Sequence, residues 1–445
     1  MSRNFVEPLI DGHRILPSLL TDIGRAKHYV HVSVFLFFRD PIGEEIAAAL
    51  EERARGGVTV RVLLNLEKTG MGDPFSTGEK RMMKNDPNVE YDPLDIRPLC
   101  ERMRAAGIEV VDTDIDYDKL IEVSDPRLGS VAAQIRDTIE IDELHIDHRK
   151  VVIIDGAVAY VGGANFGAQY LYHEAFDPEV DSREEGEARK KAGLPEPWWK
   201  WHDSLTRFEG PIALEVDAHF RDRWILDGGE KFELAMASDS PSPHRDDFVG
   251  VPVEHTRVLT NCPDAEPNEV RETYVRLIRE ARRSIFIENP YLYHPAIVDT
   301  LCDAKKARPD LRVVLVLPNR RHNDNSFAED AQQHHYPRYL ECGIELYEYH
   351  HHFNHLKIAV FDGRYSIHGS TNLNFRSLDD DMDFELNILV DDEELGRRVL
   401  SEVRNVDIRH ARRISKGDVE GVSFEALRIR MRDPRTLLLV SRRLL

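Results

Sequence analysis

Cysteine is scarce and scattered. Cys100, Cys262, Cys302 and Cys342 are the only four in 445 residues, and none lies in a CxxC spacing. That excludes a zinc ribbon and a disulfide-dense scaffold, and reduced thiols in an intracellular protein are the expectation. Long apolar runs are missing too. The longest, "VSVFLFF" at 32–38, is far short of the roughly 20 residues a membrane helix needs. The first twenty residues show no basic stretch leading into an apolar run, so no signal peptide is expected. Positive charge is in deficit: 59 Lys and Arg stand against 80 Asp and Glu, a formal net charge of -21. Affinity for a phosphate backbone comes mainly from lysine and arginine, so a general nucleic-acid binder is excluded while a local basic pocket is not.

What is present reads as a large soluble globular protein of two domains or two halves. After helix-like residues to about Ala26 comes a strand, "YVHVSVFLF", a helix, "IGEEIAAALEERARGG", and a strand, "VTVRVLLNL". The helix follows from apolar spacing near 3.6, the strands from β-branched runs closed by turn residues. Helix, strand, helix, strand recur in the segment that begins "EVRETYVRLIREARRSIFIENPYLYH", and "AAGIEVVD" in the first half is matched by "ECGIELYEY" in the second. The expectation is an α/β protein of two similar lobes, each a mixed, mostly parallel sheet flanked by helices, with the active site at their pseudo-twofold interface. The lobes are expected at 1–236 and 253–445, joined by the Pro/Ser/Asp-rich linker 237–252. Insertions are expected near 67–98, 113–147 and 177–197; the first two are candidate lids and the third is a charged, solvated segment.

Four histidines, His350, His351, His352 and His355, crowd into six positions and invite a metal-site reading. A second stretch argues otherwise. His148-x-Lys150-x4-Asp155-Gly156 is repeated as His355-x-Lys357-x4-Asp362-Gly363, and Gly162 and Asn165 return as Gly369 and Asn372. Every pair is 207 residues apart, so a gapless block with six identities over eighteen positions recurs at fixed register. His and Lys, two apart on a strand, share one face. Asp155 and Asp362 fall at an Asp-Gly hairpin and are given a structural role. The turns "GGAN" and "GSTN" place Gly163, Ser370, Asn165 and Asn372 where backbone and amides can meet an anion.

Two facing halves would gather two imidazoles, two ammonium groups and two amides around one point, which suits a phosphodiester. One histidine can attack phosphorus and form a covalent intermediate. The other can protonate the leaving alkoxide and then deprotonate the acceptor. The lysines and asparagines can stabilise the non-bridging oxygens, so no metal and no cofactor is expected in the chemistry.

Paired HxKx4D motifs, each followed by a Gly-rich turn and Asn, resemble the phospholipase D superfamily over about Leu19 to Val406. Within it the chain is most similar to bacterial cardiolipin synthases, through "GGANFGAQYL", "WHDSLTRFEGPIALEVDAHFRDRW" and "GSTNLNFRSLDDDMDFELN". The resemblance implies His148 as nucleophile and His355 as general acid. It also implies that Glu385 orients His148 and Asp203 orients His355. The implied activity is a phosphatidyltransferase making cardiolipin from phosphatidylglycerol, with a hydrolase using water as acceptor as the alternative and a superfamily nuclease behind it. Asn374 stands where the family commonly has Asp, and the long insertion before His148 is unusual for it.

The remaining expectations concern the membrane. The tail Arg428–Leu445 carries six Arg against one Asp among leucines, the pattern of a basic amphipathic anchor or of a docked terminal helix. Trp198, Trp199 and Trp201 either face lipid or pack in the core. A phospholipid substrate, peripheral contact with the inner face of the cell membrane and a cytoplasmic location are expected. His350–His352, which have no counterpart in the first lobe, are expected in the loop leading into the site.

Overall fold

The computed structural model describes residues 3–65, 96–113, 146–192, 200–234, 249–261, 268–323, 326–379 and 383–419. The expected insertion 67–98 lies almost wholly, and 113–147 largely, outside them, as do Cys262, Trp198, Trp199 and the basic tail. The first half contributes strands β1 (Asn4–Ile10), β2 (Tyr29–Val34), β3 (Thr59–Leu64), β4 (Glu109–Asp112), β5 (Ile146–Asp147), β6 (Val151–Ile154), β7 (Val158–Gly162), β8 (Ser204–Glu209) and β9 (Val251–Val253). The second contributes β10 (His255–Asn261), β11 (Ser284–Glu288), β12 (Arg312–Pro318), β13 (Glu345–Tyr349), β14 (Ile358–Phe361), β15 (Tyr365–Gly369), β16 (Asp383–Asp391) and β17 (Ala411–Arg413).

The first sheet runs β4-β3-β2-β6-β7-β8-β1-β9 and the second, read from its far edge, β17-β13-β12-β11-β14-β15-β16-β10. From β4 to β1 and from β13 to β10 the order is the same, so the duplicated pattern is a duplicated topology. The α/β class and the two lobes stand, but the sheets are mostly antiparallel. Within the two strand orders β2–β3–β4 and β11–β12–β13 are parallel, and β5 adds one parallel pairing to β16. Those strands are joined by crossovers that contain helices, Pro41–Arg55 and Arg97–Ala105 in the first lobe, whereas β6–β7 and β14–β15 are tight hairpins. The hairpin turns use left-handed residues, Asp155 (φ 53) with Gly156 and Asp362 (φ 55) with Gly363, as an Asp-Gly turn with two successive positive-φ positions demands.

Local chemistry sets the helices. Pro41–Arg55 starts where the Asp40 carboxylate accepts the N–H groups of Ile42 and Gly43, has Pro at its first turn, and ends with Arg53 and Arg55. Its Ile42, Ile46, Ala47 and Leu50 are buried, which is the i, i+4 stripe that covers the sheet. Pro295–Ala307 is its counterpart, with Pro295 at the start and the His294 ring accepting from Ala296 N–H.

Three further expectations change. The N-terminus is not helical throughout: β1 precedes the helix Gly12–Arg25. Pro8 is tolerated in β1 because it lies beyond Asn4–Val6, the part of the strand that β9 pairs. The expected linker ends in strand, since β9 adds to β1 in the first sheet. Cys302 and Cys342 are joined in a disulfide, with Cα atoms 5.4 Å apart. The helix Pro295–Ala307 and the turn after Tyr336–Glu341 bring them together, and a sequence separation of 40 gives no local sign of that. Cys100 is free and buried.

Among the described residues the core has three apolar clusters. One sits in the first lobe around Ile15, Leu19, Val32 and Leu50. Another lies in the second around Tyr274, Leu301, Leu315 and Leu346. Between them a third draws Val151, Val161 and Phe208 from one sheet and Ile358, Leu386 and Ile388 from the other. The lobes thus share a continuous apolar core, and the ends of β6–β8 and β14–β16 meet across it.

Candidate active site

Each lobe lends its histidine to the other. β5 pairs in parallel with the second-lobe strand β16, Asp147 opposite Phe384, and His148 N–H donates to the Phe384 carbonyl at 3.0 Å. The matching segment of the second lobe does the same in reverse. Asn354 forms a parallel bridge with His202, and His355 N–H donates to the His202 carbonyl at 2.8 Å. In both places the next residue along the receiving strand is an acid. His148 Nδ1 lies 3.0 Å from Glu385 Oε1, and His355 Nδ1 lies 2.7 Å from Asp203 Oδ2. Glu385 and Asp203 are fully buried.

The lysines fold back beside the imidazoles. Lys150 Nζ donates to the His148 carbonyl at 2.6 Å. Lys357 Nζ donates to the His355 carbonyl at 2.8 Å and to its Nε2 at 3.0 Å. Both are 2% exposed, so neither reaches bulk water. Burial, with Lys357 adding to it against the pull of Glu385, pushes the Lys150 ammonium down to about 7. Relative to an ordinary lysine this is a penalty on the order of 5 kcal/mol for the charged form. The imidazoles feel the same environment. Burial and then Lys150 lower His148, and burial, Lys357, Lys150 and His148 hold His355 well below its usual range. An environment that penalises Lys150, His148 and His355 in their charged forms at once suits an anion, whose arrival restores their charge.

The carboxylates differ. Glu385 accepts hydroxyls from Ser370 and, at 2.6 Å, from Ser377. Burial disfavours its ionised form, but His148, Lys150 and these hydrogen bonds outweigh burial and its pKa is lowered. Asp203 accepts the Ser204 N–H at 2.7 Å. There burial wins over Lys357, the Ser204 N–H and Lys150, and the carboxyl is pushed up to about 7.

Two of the expected phosphate ligands have other work. The Ser370 hydroxyl is spent on Glu385. Gly163 N–H donates to the Ser204 carbonyl at 2.9 Å, and a Cβ at this glycine would meet Asp203 Oδ1 at 2.4 Å. Gly163 and Ser370 occupy the same register, and both serve the carboxylate beside them. Asn165 Oδ1 accepts Leu36 N–H at 3.1 Å. Asn372 Oδ1 is buried with no hydrogen-bond partner among the described residues, which leaves it a candidate for contact with a ligand hydroxyl.

Asp155 and Asp362 lie at the distal turns, away from the imidazoles. Asp155 accepts the N–H groups of Lys27, His28 and Tyr29. Asp362 accepts those of Arg282, Arg283 and Ser284. Each pins the start of β2 or β11 to its hairpin.

Two of the neighbouring histidines, His351 and His352, dock the lobes. The ring nitrogens of His352 face the carbonyls of Lys200 and Asp177 at 3.0 and 3.2 Å. The His351 carbonyl accepts the N–H and the hydroxyl of Ser182, and Asn319 Nδ2 lies 3.2 Å from His350 Nδ1. The charged third insertion forms a helix, Ser182–Lys191, that starts at this docking point. Trp201 is 2% exposed and packs 4.5 Å from Tyr170 and 4.6 Å from Phe353, which excludes it from a lipid-facing surface. Sequence reasoning missed Ser377 and the aromatic wall of Tyr170, Trp201 and Phe353 around His355. Carrying the 207-residue offset five positions past Asn165 would have set Tyr170 against Ser377.

Two lobes of one topology, each placing a His–Lys pair at their shared interface, define a phospholipase D-type fold. The family model described as "Cardiolipin synthase, PLD-like domain" matches residues 19–176 and 274–406, well over half of the chain. The chain belongs to that family, the phosphatidyltransferase branch of the phospholipase D superfamily. It is similar to the cardiolipin synthase of Geobacillus kaustophilus, with 25% identity over 424 residues, 95% of this chain and 69% of that one. It is also similar to the major cardiolipin synthase of Bacillus subtilis, with 26% identity over 403 residues, 89% of this chain and 68% of that one. Among solved structures, phosphatidylserine synthase of Haemophilus influenzae shares the fold. The TM-score is 0.65 at 14% identity, over 100% of this chain and 97% of that one. Among the described residues no helix is long and apolar enough to cross a membrane.

Proposed function

We propose that this chain makes cardiolipin from phosphatidylglycerol through a covalent phosphohistidine on His148. The observation that carries the reading is the crossed pairing of His148 with Glu385 and His355 with Asp203, together with two buried lysines. An ionised Glu385 on Nδ1 keeps the proton there and leaves the Nε2 lone pair free to attack, as the acid of a catalytic triad does for its histidine.

In the first step His148 Nε2 attacks the phosphorus of phosphatidylglycerol. The P–O bond to the headgroup glycerol breaks, and His355 delivers a proton to the departing oxygen. Lys150 and Lys357 move from the histidine carbonyls to the non-bridging oxygens and hold the charge that builds there. In the second step the glycerol hydroxyl of another phosphatidylglycerol gives its proton to His355 and attacks phosphorus, and the P–N bond to His148 breaks. The products are cardiolipin, glycerol and the free enzyme. The substrate is a membrane lipid, so the protein works in peripheral contact with a bilayer.

The test is incubation of the purified chain with phosphatidylglycerol vesicles and mass spectrometry of the products. Cardiolipin and glycerol in equal amounts are expected. Phosphatidic acid with glycerol would make the protein a hydrolase. No lipid turnover, with cleavage of DNA or RNA, would overturn the lipid reading.

A further inference from the structure

A second cluster of buried polar groups lies one residue from Asp203, and the chemistry above does not use it. His202, Glu288 and Asp407 bring one ligand atom each to within 4.8 Å of one another. They are 3%, 0% and 2% exposed. Among the described residues His202 Nε2, Glu288 Oε2 and Asp407 Oδ2 have no aligned hydrogen-bond partner, although the Glu288 and Asp407 carboxyls lie close enough to interact. Asp407 Oδ1 lies 3.3 Å from His202 Nε2, an ion-pair distance when the ring is protonated. The other atoms of the cluster are committed. His202 Nδ1 lies 2.8 Å from Asp11 Oδ1, and Glu288 Oε1 accepts from Asn354 Nδ2 at 2.7 Å. The imidazole is also clamped flat against Tyr349, with 4.7 Å between centroids and 4° between planes.

We propose that His202, Glu288 and Asp407 form a binding site for one first-row divalent cation such as zinc or manganese, set between the lobes behind the His355–Asp203 half-site. Two carboxylates buried side by side need positive charge between them. One imidazole nitrogen and two carboxylate oxygens form a common donor set for such ions. At metal–ligand distances of about 2.1 Å a tetrahedral ion holds its donors about 3.4 Å apart, so small side-chain adjustments close the site. Asp11 on the far ring nitrogen fixes the tautomer that offers Nε2, as an outer carboxylate does for a metal-bound histidine. The charge of a dication balances Glu288 and Asp407.

The other half-site supports the assignment. Asp147 stands at the register of Asn354, 207 residues earlier, and its buried carboxylate is neutralised by Arg149 at 2.7 Å and Arg223 at 3.8 Å. The first half-site is backed by guanidinium charge, and the second presents carboxylates and an imidazole. His202 belongs to the first lobe and Glu288 and Asp407 to the second, so the ion would clamp the lobes. It would fix Asp203 through the chain and His355 through Asn354. It sits behind the histidines and takes no part in the phosphoryl chemistry.

The test uses the full chain stripped with chelator, returned to chelator-free buffer and titrated with zinc chloride and with manganese chloride. Calorimetry and thermal melting are the readouts. One equivalent of ion per chain and a higher melting temperature are expected. Glu288→Gln and Asp407→Asn should each weaken binding at least tenfold and remove the thermal shift, whereas His351→Ala should change neither. The rival is a proton shared by the two carboxylates. It predicts no stoichiometric ion for the wild-type chain and a Glu288→Gln variant at least as stable as wild type; that result overturns the site. Binding lost in His351→Ala, or kept in both carboxylate variants, would also overturn it. Cobalt substitution of the wild-type chain gives a readout that needs no variant to fold: visible bands of a four- or five-coordinate site are expected, and only those of hexaaquo cobalt would contradict the proposal. None of these readouts depends on lipid turnover.

Discussion

Behind His148 the Glu385 carboxylate receives two hydroxyls, from Ser370 and Ser377. At the same two registers behind His355 stand Gly163, which has no side chain, and Tyr170, whose ring lies 5.7 Å from that imidazole. The consequence is electrostatic. Glu385 has its pKa lowered, while Asp203 is pushed up to about 7. Two copies of one motif have become a half-site with a firmly ionised carboxylate and a half-site whose carboxylate titrates near neutrality. The first environment suits a nucleophile that must keep its lone pair exposed. The second suits a group that gives and takes a proton within one turnover.

The sharpest way to break this comparison is to remove each imidazole and vary the leaving group. His148→Ala should lower turnover of phosphatidylglycerol by about 10⁴-fold or more, and equally so for a phosphatidyl ester of p-nitrophenol. His355→Ala should be as damaging with glycerol as leaving group, yet release p-nitrophenol at least about 100-fold faster than it releases glycerol, since that leaving group needs no acid. Rescue of His148→Ala instead would reverse the roles.

Next come the carboxylates. Glu385→Gln should cost about 10³-fold in kcat, because the neutral amide no longer fixes the His148 tautomer. Asp203→Asn should cost about 10²-fold and change the shape of the pH profile. Asp203 ionises only as pH rises through about 7, so the wild-type rate should climb through that range, and the climb should vanish in Asp203→Asn. A profile unchanged by this substitution would separate Asp203 from the titration.

Smaller substitutions act on the differing neighbours. A Cβ at position 163 would strike Asp203 Oδ1, so Gly163→Ala should lower kcat about tenfold or more with KM little changed. Ser370→Ala removes one donor from Glu385, raises its pKa, and should move the acid limb of kcat/KM upward with only a few-fold loss at neutral pH. The hairpin aspartates are compared by stability. Asp155 is buried and Asp362 half-buried, and each accepts three backbone N–H groups. Asp155→Ala should cost about 3 kcal/mol in denaturant unfolding and Asp362→Ala about half that, since water can replace more of the lost bonds at the second site.

Much of this arrangement is legible in the residues. The 207-residue offset marks His148 with His355, Lys150 with Lys357 and Asn165 with Asn372, and the structure places the members of each pair at equivalent points of equivalent lobes. The Asp-Gly turns and the helix starts at Pro41 and Pro295 follow from local backbone chemistry. What is not legible depends on contacts between distant segments. Nothing near "HIDHRK" says that β5 leaves its own sheet to pair with β16, or that Asn354 bridges to His202. Yet those two bridges set each imidazole against a carboxylate of the other lobe. The Cys302–Cys342 disulfide and the buried set of His202, Glu288 and Asp407 are hidden for the same reason. Ser370 shows a subtler limit: its motif position suggested a phosphate ligand, whereas its hydroxyl goes to Glu385.

The most direct measurement is the location of the covalent intermediate. The chain is mixed with phosphatidylglycerol, quenched at neutral or basic pH to preserve the P–N bond, digested and sequenced by mass spectrometry. A phosphatidyl adduct on the peptide carrying His148, and none on the peptide carrying His355, is the predicted result. An adduct on His355, or turnover with no adduct on either histidine, would contradict the division of labour between the two half-sites.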